Sequence, residues 1–269
     1  MNKEALISFL RVVKHRSFRN GYRYRGFQYE EAHVLANGPS INESISSINF
    51  EGKVLFVLNN FARSHDLFTR LKPQNYVFAD PYFWESNLEE TVLMDIVHLT
   101  SWDIKVFFPF EICKMKKIHK FFSSNSFIHI VPYNRTYIEG FGDWQVKAYM
   151  KNYGTPITAN VLVATLFLAI NSGAQKIHIY GADHTWTKSI IVNDSNQVCI
   201  ADTHFNSETK FYPWLKHDNT PFLMSEILEA FARMFRGYEY IEKYAKRIGV
   251  RIINETPGSF IDSFERAKK

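Results

Sequence analysis

The chain has 269 residues, 46% of them hydrophobic and 16% aromatic, enough to build one large core or two small ones and too much for a disordered chain. Its net charge of +5 suits a phosphate-bearing partner or an anionic membrane surface. Cys113 and Cys199 lie outside any CxxC or Cys/His metal spacing, which argues against a disulfide framework or a zinc site and for a reducing compartment.

Residues 1–30 interleave Arg11, Lys14, Arg16, Arg19, Arg23 and Arg25 with Phe18, Tyr22, Tyr24 and Phe27, a mixture suited to a membrane interface or a nucleic acid. The simpler expectation is an amphipathic helix that packs Leu6, Phe9, Leu10 and Val13 on the body. The first apolar stretch is short and interrupted by charge, so no signal peptide is read, and no run approaches the roughly 18 apolar residues of a membrane span. The expected location is therefore cytoplasmic, with residues 1–30 as a peripheral contact to the inner membrane and residues 31–269 as a single α/β domain.

From Glu31 onward, strands alternate with helices. Val34-Leu-Ala36 is a buried strand end that runs into Asn37-Gly-Pro-Ser40 and a helix expected over residues 40–48. Gly38 permits close backbone approach and Pro39 suits the first turn of a helix. Such a junction presents free N–H groups and a positive dipole end to an anion, although an ordinary capped turn has the same sequence. Further strands are expected over 53–58, 76–79, 104–108 and 127–131, with helical segments at 62–71 and 88–99. This alternation predicts a doubly wound, mostly parallel sheet covered on both faces, which binds ligands at the carboxyl ends of its strands. The first three strands end at Asn37, Asn59 and Asp80.

Residues 158–172 form the strongest predicted helix, apolar nearly all round and stopped by Gly173. Its expected first turn, Thr158-Ala-Asn160, has only small or polar side chains and leaves the helix amides open to a phosphate. A strand over 176–180 follows and runs into Gly181-Ala-Asp183, with His178 expected as a core histidine. Residues 184–220 read as an irregular lid with one short strand at 197–200. A helix over 221–248, a strand over 250–253, the turn Thr256-Pro-Gly-Ser259 and a final helix through Phe264 complete the chain.

The P-loop, GxGxxG, HExxH and GxSxG motifs are absent. What remains is a set of Asn, Asp, Ser, Thr and His residues at strand and helix ends. In order, Asn37-Gly-Pro-Ser40, Asn59, Asp80-Pro81, Ile157-Thr-Ala159, Tyr180-Gly-Ala-Asp183 and Thr256-Pro-Gly-Ser259 resemble the bacterial sialyltransferases of glycosyltransferase family 42. They are equally similar to the related motility accessory factors and other lipopolysaccharide or capsule enzymes. The resemblance spans about residues 31–265 and rests on the ordered set of motifs, since no one of them is specific.

The resemblance implies a variant of the doubly wound sheet that binds a cytidine-monophosphate-activated nonulosonic or ulosonic acid and transfers the sugar to a surface glycan or a lipid-linked acceptor. No cofactor and no nucleic acid is expected. Asn37, Gly38 and Ser40 would approach the nucleotide phosphate or ribose, and Asn59 the phosphate or the sugar. Thr158 would meet the donor carboxylate or phosphate, and Gly181 with Asp183 would hold the cytidine; Asp183 is also a candidate catalytic residue, since Asp183 or Asp80 placed to attack the anomeric carbon would give a covalent intermediate and retention. Asp80 stands where the sialyltransferases have Asn, which leaves its role open.

The family's catalytic base is a lid histidine. His217 lies 34 residues after Asp183, matching the family spacing, while His204 sits in the tighter motif Asp202-Thr-His-Phe205. His184 is the third choice as base and otherwise a donor contact. A histidine suits proton removal from an acceptor hydroxyl near neutral pH. Charge builds on the departing phosphate, and the chain has no DxD motif to hold a metal there, so Trp186, Lys188, Lys210 and Tyr212 of the lid are the candidates to stabilise it. A hydroxymethylpterin diphosphokinase-like enzyme and a non-enzymatic nucleotide-binding or membrane-docking module are the competing readings.

Overall fold

Side-chain alternation along the strands decides the architecture. The computed structural model describes residues 3–19, 30–202, 210–216 and 218–267. In β1 (Glu31–Leu35) Ala32 and Val34 enter one apolar core and Leu35 the other; in β2 (Leu55–Leu58) Phe56 and Leu58 divide from Leu55 and Val57 in the same way. The pattern continues through β3 (Asn75–Val77), β4 (Ile104–Pro109) and β5 (Ile128–Tyr133). A sheet apolar on both faces needs helices on both, which is why the strands are joined by crossovers.

With β6 (Lys176–Tyr180), and with β10 (Arg251–Asn254) and β11 (Glu265–Arg266) from the end of the chain, these strands make one eight-stranded sheet in the order β11-β10-β6-β1-β2-β3-β4-β5. Every neighbouring pair in it is parallel. The chain winds outward from β1 to β5, then returns to β6 on the other side of β1. The direction of winding therefore reverses between β1 and β6, where the loops leaving the two strands part and open a crevice.

One face is covered by α1 (Lys3–Lys14), α7 (Asp143–Met150), α8 (Val161–Asn171) and α9 (Met224–Arg247). The opposite face is covered by α2 (Ile41–Ser47), α3 (His65–Leu71), α4 (Tyr82–Glu85), α5 (Val92–Leu99) and α6 (Lys116–Phe122). Ten of the eleven residues of α8, Val161 through Ile170, are buried between the sheet and α9, as its unbroken apolar sequence requires. None of the described helices is long and apolar enough to cross a membrane.

Several boundaries differ from expectation for local reasons. The helix expected from Thr158 begins only at Val161, because Asn160 is extended and its side chain accepts the Leu162 amide at 2.8 Å. The segment 62–71 is broken at Ser64 into a tight turn over Asn59–Arg63 and then α3. No helix forms after Thr256: Arg266 binds the carbonyls of Thr256, Ser259 and Ile261, which takes the acceptors a helix would have used. The lid is more ordered than expected, since β7 (Ile190–Val192), β8 (Val198–Asp202) and β9 (Lys210–Pro213) form a three-stranded antiparallel sheet.

The N-terminal helix also corrects its expected packing. Ala5, Ser8 and Val12 face the body, while Leu6, Phe9, Leu10 and Val13 stay 41–56% exposed. His178 stacks on His33 with ring centres 4.9 Å apart and holds Glu255 through Nδ1 at 2.6 Å, whereas its buried Nε2 has no hydrogen-bond partner.

Leu166 is fully buried at the middle of α8, so Leu166→Ala removes apolar contacts and leaves a cavity. The expected loss is about 3 kcal/mol in urea-induced unfolding; a change below 1 kcal/mol would show that α8 is not the centre of the core.

Candidate functional site

Two cavities open at the carboxyl edge of the sheet, on either side of Asn59. The first, about 340 Å³, lies over the β1–β6 divergence and is lined by Asn37, Gly38, Asp183, His184, Trp186 and Ser189 among others. The second, about 330 Å³, lies over β3 and is lined by Ala79, Asp80, Pro81, Thr158 and Ala159. Asn59, Asn160 and Val161 border both, so the cavities adjoin along one cleft.

The first cavity is shaped by the meeting of two loops. The Gly38 amide donates to the Gly181 carbonyl at 2.8 Å. A Cβ on Gly38 would lie 2.0 Å from Asp183 Oδ2 and 2.5 Å from the Gly181 oxygen, so space alone demands glycine there. Gly181 has φ +67, the left-handed region that glycine adopts without strain. From beyond, the Thr256 hydroxyl accepts the Ala182 amide at 3.0 Å and the Ser259 hydroxyl donates to the Ala182 carbonyl at 2.6 Å. The motifs around residues 38, 181 and 256 are thus brought together.

Asp183 occupies the place expected for an anion. Its Oδ2 accepts the Ser40 hydroxyl at 2.9 Å and the Ser40 amide at 3.4 Å, at the start of α2. The positive end of this short helix is already met by a carboxylate of the protein, which would repel a phosphate at the same point. Asn37 turns away from the anion position and donates to the Leu58 carbonyl at 3.0 Å, tying the end of β1 to the end of β2.

Asn59 stands differently. Its backbone is held at φ 45 by Tyr76, whose buried hydroxyl donates to the Asn59 carbonyl at 2.5 Å and accepts the Ala62 amide at 2.9 Å. Asparagine tolerates that conformation better than most residues. The side-chain Oδ1 is buried and has no hydrogen-bond partner. A buried carbonyl left without a donor costs about 1–3 kcal/mol.

Asp80 accepts the Tyr82 amide at 2.9 Å in the turn that leads into α4 and still borders the second cavity. Thr158 also borders it, in the extended segment before α8. Among the described lining residues the charged ones are Asp80 and Asp183, and both are acidic. Hydroxyls and amines fit such a lining; a phosphate needs cations or amides from elsewhere.

No family model, curated protein or solved structure matches the chain.

His184 is buried in an aromatic cage of Trp186, Phe235 and Tyr238, in the left-handed region at φ 54. Burial lowers its pKa from 6.5 to about 4, opposed by a hydrogen bond with the Ala182 backbone. Burial also holds the Tyr238 hydroxyl well above its usual pKa, so it stays protonated, and it shares a hydrogen bond of 2.6 Å with His184 Nε2. With Nε2 engaged by Tyr238 and the ring buried, His184 shapes the cavity wall. His204 and His217 lie outside the described residues.

Of the lid candidates for the leaving group, Trp186 lines the first cavity. Lys188 lies 4.8 Å over the Phe260 ring and Tyr212 is exposed. Asn160, Tyr76 and Tyr238 were not predicted as site residues. Asn160 had a readable signal, as a capping residue two positions before Leu162 at the start of an apolar run; the two tyrosines had none beyond a polar tip in an apolar segment.

The lowered pKa of His184 sets an acid limit on stability. Above pH 6.5 the residue is neutral whether folded or unfolded; as pH falls from 6.5 towards 4 the unfolded chain takes up the proton first, so stability is lost across that window. The full shift corresponds to about 3 kcal/mol. His33, lowered to about 4 chiefly by burial, adds to the same window. Unfolding measured between pH 7 and 4 is expected to show a shallower acid slope in His184→Asn than in the unsubstituted protein; an unchanged slope would remove His184 as a contributor.

Proposed function

We propose that the chain is a glycosyltransferase that moves a nonulosonic or ulosonic acid from a cytidine-monophosphate-activated donor to a cell-surface glycan or lipid-linked acceptor. The observation that carries this reading is that Asn59, Asn160 and Val161 border two adjoining cavities at the reversal of the sheet, so that the two form one cleft. A two-part, hydroxyl-rich ligand fits that arrangement, with the nucleoside on one side of Asn59 and the sugar on the other. The acidic and amide groups along the cleft accept from ribose and sugar hydroxyls and from the cytosine amine. The position at the reversal of strand order is where doubly wound sheets bind nucleotides.

In this reaction the acceptor oxygen forms a bond to the anomeric carbon as the bond from that carbon to the phosphate oxygen breaks, and cytidine monophosphate leaves. The acceptor hydroxyl gives its proton to a lid histidine, His204 or His217. The sialyltransferase-like form of the fold belongs to the same proposal, as do Thr158 and the lid lysines Lys188 and Lys210 as groups that meet the donor's negative charges.

Cytidine monophosphate at a hundredfold excess over its dissociation constant is expected to stabilise the protein by about 2.7 kcal/mol, read as a rise in thermal midpoint. Asn59→Gly keeps the left-handed backbone and removes the unpaired carbonyl, so the free variant should melt no lower than the parent while its response to the nucleotide falls. No shift with cytidine monophosphate would overturn the reading. Replacing His204 and His217 separately by Ala should lower the rate of sugar transfer by 100-fold or more at the true base, roughly the value of a general base; undiminished transfer by both variants excludes a lid-histidine base.

A further inference from the structure

The N-terminal helix carries an apolar stripe that the fold does not cover. Leu6, Phe9, Leu10 and Val13 follow the i, i+3, i+4, i+7 spacing of one helix face and remain 41–56% exposed. A helix packed only for stability turns its largest apolar side chains inward; here the inward positions hold Ala5, Ser8 and Val12.

Polar contacts hold it in this orientation. The Ser8 hydroxyl donates to the Glu139 carbonyl at 3.2 Å and accepts the Glu139 amide at 2.7 Å, and Arg11 pairs with the Glu139 carboxylate at 3.4 Å. Just past the helix, the Ser17 hydroxyl meets that of Thr136 at 2.6 Å. Rolling the stripe inward would break all of these. Within the stripe the Phe9 ring sits edge-on to Trp144 of α7.

Positive charge surrounds the stripe. Lys3, Lys14 and Arg16 are exposed. Beside the helix lies a cavity of about 550 Å³ whose lining includes Arg11, His15, Lys114 and Arg135, with Glu111 as its one acidic group. Glu111 is paired with Arg135, and the Lys114 ammonium rests 4.2 Å over the Phe110 ring. Glu4, on α1 itself, lies towards Gly140 on the body.

We propose that α1 and this basic cavity dock the protein on an anionic lipid bilayer. The stripe enters the boundary between headgroups and acyl chains, and the surrounding cations meet lipid phosphates. Charge selects this occupant over a second copy of the chain, because a symmetric pairing through α1 would set the same cations against each other. The cavity is built from residues that follow β4 and β5, and so lies on the same sheet edge as the cleft. Docking there brings that edge to the lipid surface.

The test is co-sedimentation of the full chain with vesicles of phosphatidylglycerol and phosphatidylcholine, compared with phosphatidylcholine alone. Binding to the anionic vesicles only is expected, weakened by high salt. Leu6→Ser with Leu10→Ser should reduce it about tenfold or more, and Lys3→Glu with Lys14→Glu severalfold. All four positions are exposed, so an unchanged thermal midpoint verifies that the variants fold. Absent binding, equal binding to both vesicles, or undiminished binding by the Leu6/Leu10 variant overturns the proposal. A concentration-dependent dimer that the same variant dissolves, without vesicle binding, would identify the second copy as occupant and overturn it equally. None of these outcomes depends on sugar transfer, so this proposal and the glycosyltransferase reading fail independently.

Discussion

The approach of two loops at the reversal of the sheet is the constraint on which the cleft depends. β1 and β6 are hydrogen-bonded neighbours over their whole length, yet the chain must leave them for helices on opposite faces. The Gly38 amide bonds the Gly181 carbonyl in the gap, and the clash awaiting any Cβ at residue 38 shows how little room is left. The neighbouring contacts follow. Asp183 is pressed onto Ser40, Ala182 is bracketed by Thr256 and Ser259, and His184, the residue after Asp183, is driven into a left-handed turn within an aromatic cage.

That constraint changes the meaning of the first loop. A strand end, a glycine turn and a helix start are the usual ingredients of an anion site. Here the helix start belongs to Asp183, so the glycine serves the approach of the protein's own carboxylate. The unsatisfied polar group lies instead one strand away, where the Asn59 side-chain Oδ1 is buried without a partner and Tyr76 spends its hydroxyl on holding that backbone in place. The cleft is electrostatically suited to the hydroxyl-bearing parts of a ligand.

The sheet edge that bears the cleft also bears the basic cavity beside α1. The two differ in sign: the described charges of the cleft are acidic, and those around α1 are mostly basic. Such a division lets one edge hold a polar ligand and meet an anionic surface at separate places. It also accords with an α1 that is held by Ser8 and Arg11 and whose larger apolar side chains, Leu6, Phe9, Leu10 and Val13, stay exposed.

The sequence by itself determined the α/β class, the parallel sheet, the all-buried character of α8 and the polar residues that end the first three strands. Those features are local: they rest on periodicity, on apolar runs and on the residue types that follow them. Tertiary structure alone decided which of those polar ends has a free valence. Asn37 and Asn59 look alike in sequence, but the Asn37 side-chain Nδ2 finds the Leu58 carbonyl and the Asn59 side-chain Oδ1 finds nothing, because the partner atoms come from other strands. Likewise Leu6, Phe9, Leu10 and Val13 spell an inward-facing helix, and only the distant Glu139 and Thr136 turn them out. Spacing along a chain states which side chains share a face; it carries no information about which face the rest of the protein will choose.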